Sequence, residues 1–215
     1  AIYWGRNFYD TLVRYNEKGE IVGELAERWE MSEDGTSYTF YLRKGVKFSD
    51  GSDLTAEAVK LSFEAALVNL GAYAGSFGGL SALFDTIEVV NDDTVTVRLT
   101  QPYYGALNDL TMCCPLAIVN PAAFEGTDDL TYGEAFKTAS HGTGPYMYAG
   151  DYRDNTYTFV RNPYYWGKAP EVDVFKVRVI ADNDAKLLAL RGGEIDAILG
   201  TSRISFDGYA ALSVD

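Results

Sequence analysis

The chain holds few residues that could perform chemistry. Its 215 residues include one histidine, His141, and two adjacent cysteines, Cys113 and Cys114. A metal site needs several His, Cys or carboxylate ligands that converge, and adjacent cysteines lack the CxxC spacing of zinc sites. Nucleophilic catalysis needs a serine or cysteine that a histidine activates, and the sequence contains no G-x-S-x-G turn. These residues therefore predict neither a metal site nor an enzyme.

Two further motifs could be mistaken for catalytic ones. Asp53 and Glu57 could form the carboxylate pair of a glycosidase, but they fall at the start of a predicted helix, where acidic side chains favour the helix dipole. The glycine-rich stretch 71–80, GAYAGSFGGL, lacks the lysine and the spacing of a phosphate-binding loop. Both motifs are better explained as structural.

The cysteines are expected to be free thiols. A disulfide between neighbouring residues is strained, and the chain offers no third cysteine. Neither Cys113 nor Cys114 has a sequence neighbour that would lower its pKa, so no thiol chemistry is expected.

Composition limits the partners. The chain carries 31 acidic and 18 basic residues, a net charge of −13, which disfavours nucleic acid and anionic membranes. No apolar run reaches the roughly 18 residues of a membrane span. The first residues do not form a signal peptide, and we expect the chain to begin inside a longer parent sequence. Tyrosine is abundant, at 16 residues, which is typical of surfaces that recognise small molecules and equally of β-rich folds.

The elements that would position these residues alternate between hairpins and helices. Period-two alternation predicts hairpins at 29–48, 84–100 and 146–162, a strand at 172–180 and a strand at 194–199. Thr55 is expected to cap a helix over 55–68, and Asp182 or Asn183 another that ends at Gly192 or Gly193. Short helices are expected after Pro102 and at 131–139, and a buried strand ending at Pro121. The sequence therefore predicts an α/β fold of mixed α+β type.

Six segments in this order resemble the family 5 extracellular solute-binding proteins, the peptide- and nickel-type receptors of ABC importers. They are LAERWEMSEDGTSYTFYLRKGVKFSDGSDLTAEAVKLSFEAAL, VTVRLTQPYYGAL, NPAAF, GTGPY, VRNPYYWG and ALRGGEIDAILG. The resemblance extends from Ile21 to Gly200. It implies one lobe of a periplasmic-binding-protein-like type II fold, with a mixed β-sheet and a hairpin sub-region at about 30–115. Residues 1–215 would be a partial first lobe, with the second lobe absent.

The resemblance also implies a function. Such a receptor is not an enzyme and needs no cofactor. It captures an oligopeptide or a nickel or other metal chelate outside the cytoplasm, in the periplasm or lipid-anchored at the outer face of the membrane. Two lobes close over the solute, which is delivered to the ABC permease subunits; the membrane is met only through that permease or a lost anchor. A cell-surface structural or adhesive module that uses the same lobe is the alternative.

By resemblance, three loops face the cleft between the lobes, and they carry the candidate ligand-binding residues Tyr3, Trp4, Tyr73, Cys113 and Cys114. Ordinary packing or exposure could equally explain these residues. Nickel-type members grip a chelate partly with an arginine just before the proline of the MCCPLA loop, where this chain has Cys114. This departure weakens that mode of binding. The GTGPY and NPYYWG stretch is expected to be architectural, and His141, which only precedes the GTGPY turn, is expected to be a surface or turn residue.

Overall fold

The computed structural model describes residues 5–73, 75–199, 204–205, 207–208 and 210. Within them, nine strands form three antiparallel sheets. The strands are β1 (Val13–Tyr15), β2 (Ile21–Gly23), β3 (Ala26–Met31), β4 (Ser37–Leu42), β5 (Phe84–Asn91), β6 (Thr94–Leu99), β7 (Tyr146–Tyr148), β8 (Thr156–Arg161) and β9 (Val174–Arg178). Five α-helices accompany them: α1 (Ala56–Leu70), α2 (Ala106–Asp109), α3 (Cys113–Leu116), α4 (Glu134–Thr138) and α5 (Asn183–Arg191). The predicted mixed α/β class is confirmed.

The four-stranded sheet, in the order β3-β4-β6-β5, contains the first two predicted hairpins. Strand β4 alternates as expected, because Tyr38, Phe40 and Leu42 are buried whereas the residues between them are less so. Phe40 lies opposite Val95 of β6 and Tyr38 opposite Val97, so the apolar faces of adjacent strands coincide. Together they form one wall of the main core.

Helix α1 covers that wall. Its N-cap is Thr55, whose Oγ1 accepts a hydrogen bond of 3.2 Å from the Ala58 amide, as predicted. Val59, Phe63 and Ala66 lie on its buried face. The Phe63 ring stacks on Phe84 of β5 with 5.5 Å between ring centroids. The helix is thereby fixed to the sheet.

The third sheet, in the order β7-β8-β9, confirms the third hairpin and the strand after it. Asp154 and Asn155 form the hairpin turn with φ of 51° and 56°, the left-handed conformation that these residue types tolerate. One face of the sheet packs Tyr146, Phe159 and Phe175 against Phe8 from the start of the chain.

Two predicted strands are wrong. Residues 117–120 are buried and extended, but their amides bond to irregular partners: Ile118 N donates to the Asp10 carbonyl at 3.0 Å and Val119 N to Ser62 Oγ at 2.8 Å. A 3₁₀ helix, Pro121–Phe124, follows them. Residues 194–199 form no strand either. Instead, the Glu194 amide turns back to the Ala189 carbonyl at 2.8 Å, after α5 has ended and Gly193 has taken a φ of 71°.

Within the described residues, none of the helices combines the length and the apolar character that a membrane span requires.

Candidate solute-binding site

A cavity of about 610 Å³, partly open to solvent, lies where four parts of the chain meet. These parts are the segment 5–9, the last turns of α1, the loop 113–119, and the stretch from Tyr132 to Phe159 that includes α4, β7 and part of β8. This volume is within the range of sites that hold drug-sized ligands.

Aromatic side chains dominate its walls. Seven of the described lining residues are aromatic: Phe8, Tyr9, Tyr132, Phe136, Tyr148, Tyr157 and Phe159. Phe136 is central, since its ring lies 4.3 Å from that of Tyr132 and 6.3 Å from that of Tyr9, centroid to centroid. Phe8 and Phe159, also in the lining, pack on each other with ring centroids 4.5 Å apart. The walls of the cavity are therefore largely aromatic.

Three polar side chains of the lining have partners within the protein. Asn69 Nδ2 donates to the Leu130 carbonyl at 2.9 Å, and its Oδ1 accepts from the Tyr132 amide at 3.2 Å. Ser140 Oγ accepts from the Tyr148 amide at 2.6 Å. Lys137 Nζ pairs with Glu134 Oε1 at 2.6 Å. Asn69 thus fixes the wall that carries Tyr132 and Phe136 to the end of α1.

Both cysteines line the cavity, as unbridged thiols. The Cys113 side chain is partly buried, its Sγ donates to the Tyr9 carbonyl at 3.7 Å, and burial raises its pKa to about 12. Cys114 is exposed and precedes a cis proline, Pro115. Cys113 is therefore protonated at neutral pH, which suits neither a nucleophile nor a metal ligand.

The other candidate residues are distributed differently. Tyr73 ends the 3₁₀ turn Gly71–Tyr73 after α1, is 70% exposed, and is not part of the cavity lining. Tyr3 and Trp4 lie outside the described residues. The structure thus brings together Cys113 and Cys114 with seven aromatic residues that the sequence reasoning did not select. The tyrosine excess was the available signal, but it does not say which rings converge.

His141 is not a surface residue, and that prediction is wrong. It is 7% exposed, its Nε2 lies 2.9 Å from the Ala135 carbonyl, and its ring stacks on Phe136 at 6.2 Å. Its own carbonyl accepts from the Asn120 amide at 2.7 Å. Through these contacts His141 packs against α4 as part of the buried scaffold.

The GTGPY and NPYYWG segments are joined through one buried carboxyl. Asp10 Oδ2 accepts from Thr143 Oγ1 at 2.8 Å and from Trp166 Nε1 at 3.0 Å. Burial and the nearby charge of Glu24 raise the pKa of Asp10 to about 6. Asp10 therefore holds both motifs to the start of the chain, which forms one edge of the cavity.

The glycines of GTGPY are required by close backbone packing. A Cβ at Gly142 would lie 1.9 Å from the Phe8 carbonyl oxygen, and a Cβ at Gly144 would lie 2.5 Å from the Phe8 carbonyl carbon. The Gly144 amide donates to that same oxygen at 3.0 Å. Only glycine allows the loop to approach Phe8, and Phe8 is thereby positioned at the cavity wall.

A second buried acid lies beside Asp10. Glu24 is 6% exposed and accepts from the Thr11 amide at 2.9 Å and from Thr11 Oγ1 at 2.8 Å. Arg6 NH1 lies 3.3 Å from its carboxylate. Across the described ranges, no three His, Cys, Asp or Glu side chains form a group that could hold a metal ion. Through its hydrogen bonds and its ion pair, Glu24 joins Thr11 and Arg6 beside Asp10.

Comparisons with known proteins agree on the family. The family model of bacterial extracellular solute-binding proteins, family 5 Middle, matches residues 20–209. The nickel-binding periplasmic protein of Escherichia coli (strain K12) is 30% identical over 206 residues, which are 95% of this chain and 38% of the relative. The probable D,D-dipeptide-binding periplasmic protein DdpA of the same organism is 33% identical over 202 residues, 87% of this chain and 36% of the relative.

Solved structures show the same fold. NikA from Brucella suis, in complex with Fe(III)-EDTA, superimposes with a TM-score of 0.85 at 33% identity, covering 99% of this chain and 42% of that one. The chain thus spans well under half the length of these relatives. The neighbours are periplasmic binding proteins of the type II fold, and the family consists of extracytoplasmic binding proteins, not enzymes. The match over residues 20–209 shows that this chain belongs to the bacterial extracellular solute-binding proteins of family 5.

Proposed function

We propose that this chain supplies one wall of the solute site of an ABC importer receptor, which captures an oligopeptide or a metal chelate outside the cytoplasmic membrane and delivers it to the permease subunits. The observation that carries the proposal is the open, aromatic-lined cavity of about 610 Å³ in a chain of this family. Relatives named for nickel and for D,D-dipeptide binding support both solute classes.

The openness of the cavity supports a two-lobed mechanism. Ligand sites of this size normally bury most of the ligand surface, and hinge closure of two domains achieves that in periplasmic binding proteins. We propose that residues 1–215 are part of the first lobe, and that a second lobe closes over the cavity mouth. The share of the relatives that this chain spans, 36–38%, leaves ample length for such a lobe.

We assign the first-lobe contacts to the short helix α3, which carries Cys113 and Cys114, because both residues line the cavity. Tyr73 follows the lining residue Leu70 by three positions, and its exposed ring would be available to a closing lobe. Tyr3 and Trp4 complete the proposed set as the residues that lead into the segment 5–9.

Mass spectrometry of small molecules that co-purify with the protein tests the proposal, followed by calorimetry with those compounds, a peptide panel and nickel chelates. A single solute class that binds with a dissociation constant in the micromolar range or below, in a chain that includes the second lobe, is the expected result. If no small molecule co-purifies and none binds, the protein is not a solute receptor.

A further inference from the structure

The cavity lining is almost free of charge. The described lining residues include no arginine, histidine, aspartate or glutamate, and one lysine, Lys137. Lys137 lies one helical turn after Glu134, to which it is paired, so the two charges largely cancel there. The whole chain has a net charge of −13, which further disfavours an anionic solute.

The lining amide and the lining hydroxyl are also committed. Asn69 uses both ends of its amide to hold backbone groups of Leu130 and Tyr132, and Ser140 Oγ holds the Tyr148 amide. A solute that recruited these side chains would compete with the hydrogen bonds that they already make to the backbone, which lowers the net gain from binding. The amide, the hydroxyl and the lysine of the lining each have a partner within the protein, and the rest of the walls is mainly aromatic and apolar.

Ring faces select for apolar and aromatic groups. Aromatic pairs prefer offset-stacked or edge-on arrangements with centroids 4.5–7 Å apart, the range in which Phe136 already meets Tyr9 and Phe8 meets Phe159. A solute ring that packs against these aromatic walls would extend the same arrangement. A hydrated anionic chelate would lose its water and find no positive charge in the described lining other than Lys137, which is already paired with Glu134.

We propose that this cavity accepts an uncharged aromatic side group of the solute, with the charged parts of the solute held outside it, and that anionic metal chelates are not its ligands. This inference rests on the proposed function and names the solute class for that site. Phe136 is the principal specificity-determining residue, because it lies centrally among the rings of the lining.

The experiment compares four probes that share one backbone and its terminal charges, the dipeptides Ala-Phe, Ala-Trp, Ala-Ala and Ala-Glu, together with Ni(II)-EDTA as the anionic chelate. Calorimetry is carried out on the chain and on a longer form that carries the second lobe. The expected result is at least tenfold tighter binding of the aromatic dipeptides than of the other three probes.

Two variants locate the effect. Phe136→Leu removes the ring while keeping an apolar side chain, and should abolish most of the aromatic preference. Tyr104→Leu is the matched control, since Tyr104 is 94% exposed and is not part of the cavity lining. Because Phe136 also packs on neighbouring rings, Cys114→Trp provides a second test: it places a bulky ring at an exposed lining position and should weaken Ala-Phe binding, with the fold checked by circular dichroism.

The outcomes separate the two proposals. Binding of Ala-Glu or Ni(II)-EDTA as tight as that of Ala-Phe, or an unchanged preference in both Phe136→Leu and Cys114→Trp, overturns the aromatic assignment and leaves the receptor function standing. Absence of binding by every probe and by every co-purified compound overturns the receptor function, and this assignment with it.

Discussion

The buried carboxyl of Asp10 should make the protein less stable at neutral pH than at mildly acidic pH. Asp10 is 5% exposed, and burial together with the charge of Glu24 raises its pKa from 3.8 to about 6. A raised pKa means that the folded state binds the proton more tightly than the unfolded state. The stability contributed by protonation is therefore complete below about pH 4 and is lost as the pH rises through about 6.

The magnitude follows from the shift. A difference of about two pKa units corresponds to about 3 kcal/mol of unfolding free energy, at 1.36 kcal/mol per unit. The substitution Asp10→Asn removes the charge, and its amide oxygen can take the place of Oδ2 as acceptor for Thr143 and Trp166. At pH 7.5 the variant should be more stable than the parent by up to about 3 kcal/mol, and at pH 4 the two should be nearly equal.

Urea unfolding at pH 4, 5, 6 and 7.5, followed by circular dichroism, measures this difference. Asp85→Asn, at an exposed position, is the matched control and should change stability by less than about 0.5 kcal/mol at every pH. Asp10→Ala should destabilise, because Thr143 and Trp166 lose their buried acceptor. A parent and an Asp10→Asn variant with the same pH dependence, or a variant that is weaker at pH 7.5, would refute the reasoning.

Three further results are expected. Gly142→Ala should lower the free energy of unfolding by several kcal/mol or prevent folding, because the new Cβ would lie 1.9 Å from the Phe8 carbonyl oxygen. The control Gly192→Ala, at a position with φ of −75°, should destabilise the protein far less. Thermal melts compare the two variants, and equal melting temperatures would contradict the packing argument. A thiol reagent should detect two thiols in the unfolded chain. In the native chain it should modify Cys114 well before Cys113, because burial raises the pKa of Cys113 to about 12. Equal rates of modification of the two cysteines in the native chain would be inconsistent with this. Finally, the 215-residue chain should bind the solute about a thousandfold more weakly than a form with the second lobe. Each loss of about 1.4 kcal/mol in binding free energy weakens binding tenfold, and the missing contacts of the second lobe are expected to cost about three such losses. Equal affinities in calorimetry would show that the second lobe is dispensable.

Local interactions explain what could be predicted from the sequence. The alternation of Tyr38, Phe40 and Leu42 and the cap at Thr55 depend on residues a few positions apart, and both are present in the structure. The order of the family motifs is likewise a property of the sequence, and the family membership that it implied is confirmed. The absence of a histidine-rich or cysteine-rich cluster could also be read directly, because those residues are so few.

Strand pairing was less predictable. The apolar run at 117–120 has the composition of a buried strand, and residues 194–199 alternate like one. Whether an extended segment joins a sheet depends on a partner strand elsewhere in the chain. Ser62 and Asp10 take the hydrogen bonds of the first segment, and the end of α5 takes those at the start of the second.

The cavity itself was decided by tertiary structure. Phe8 and Phe159 lie far apart in the chain, yet their rings are 4.5 Å apart, and the sequence alone cannot show which of its many aromatic residues share a wall. His141 became buried because Phe136 and Ala135 fold back over it. Asp10 acquired its raised pKa because the fold buries it beside the charge of Glu24. The sequence by itself determined the family and most of the helices and hairpins, since these depend on motif order and local pattern. Strand pairing, burial and the shape of the cavity depend on contacts between distant residues that only the folded chain brings together.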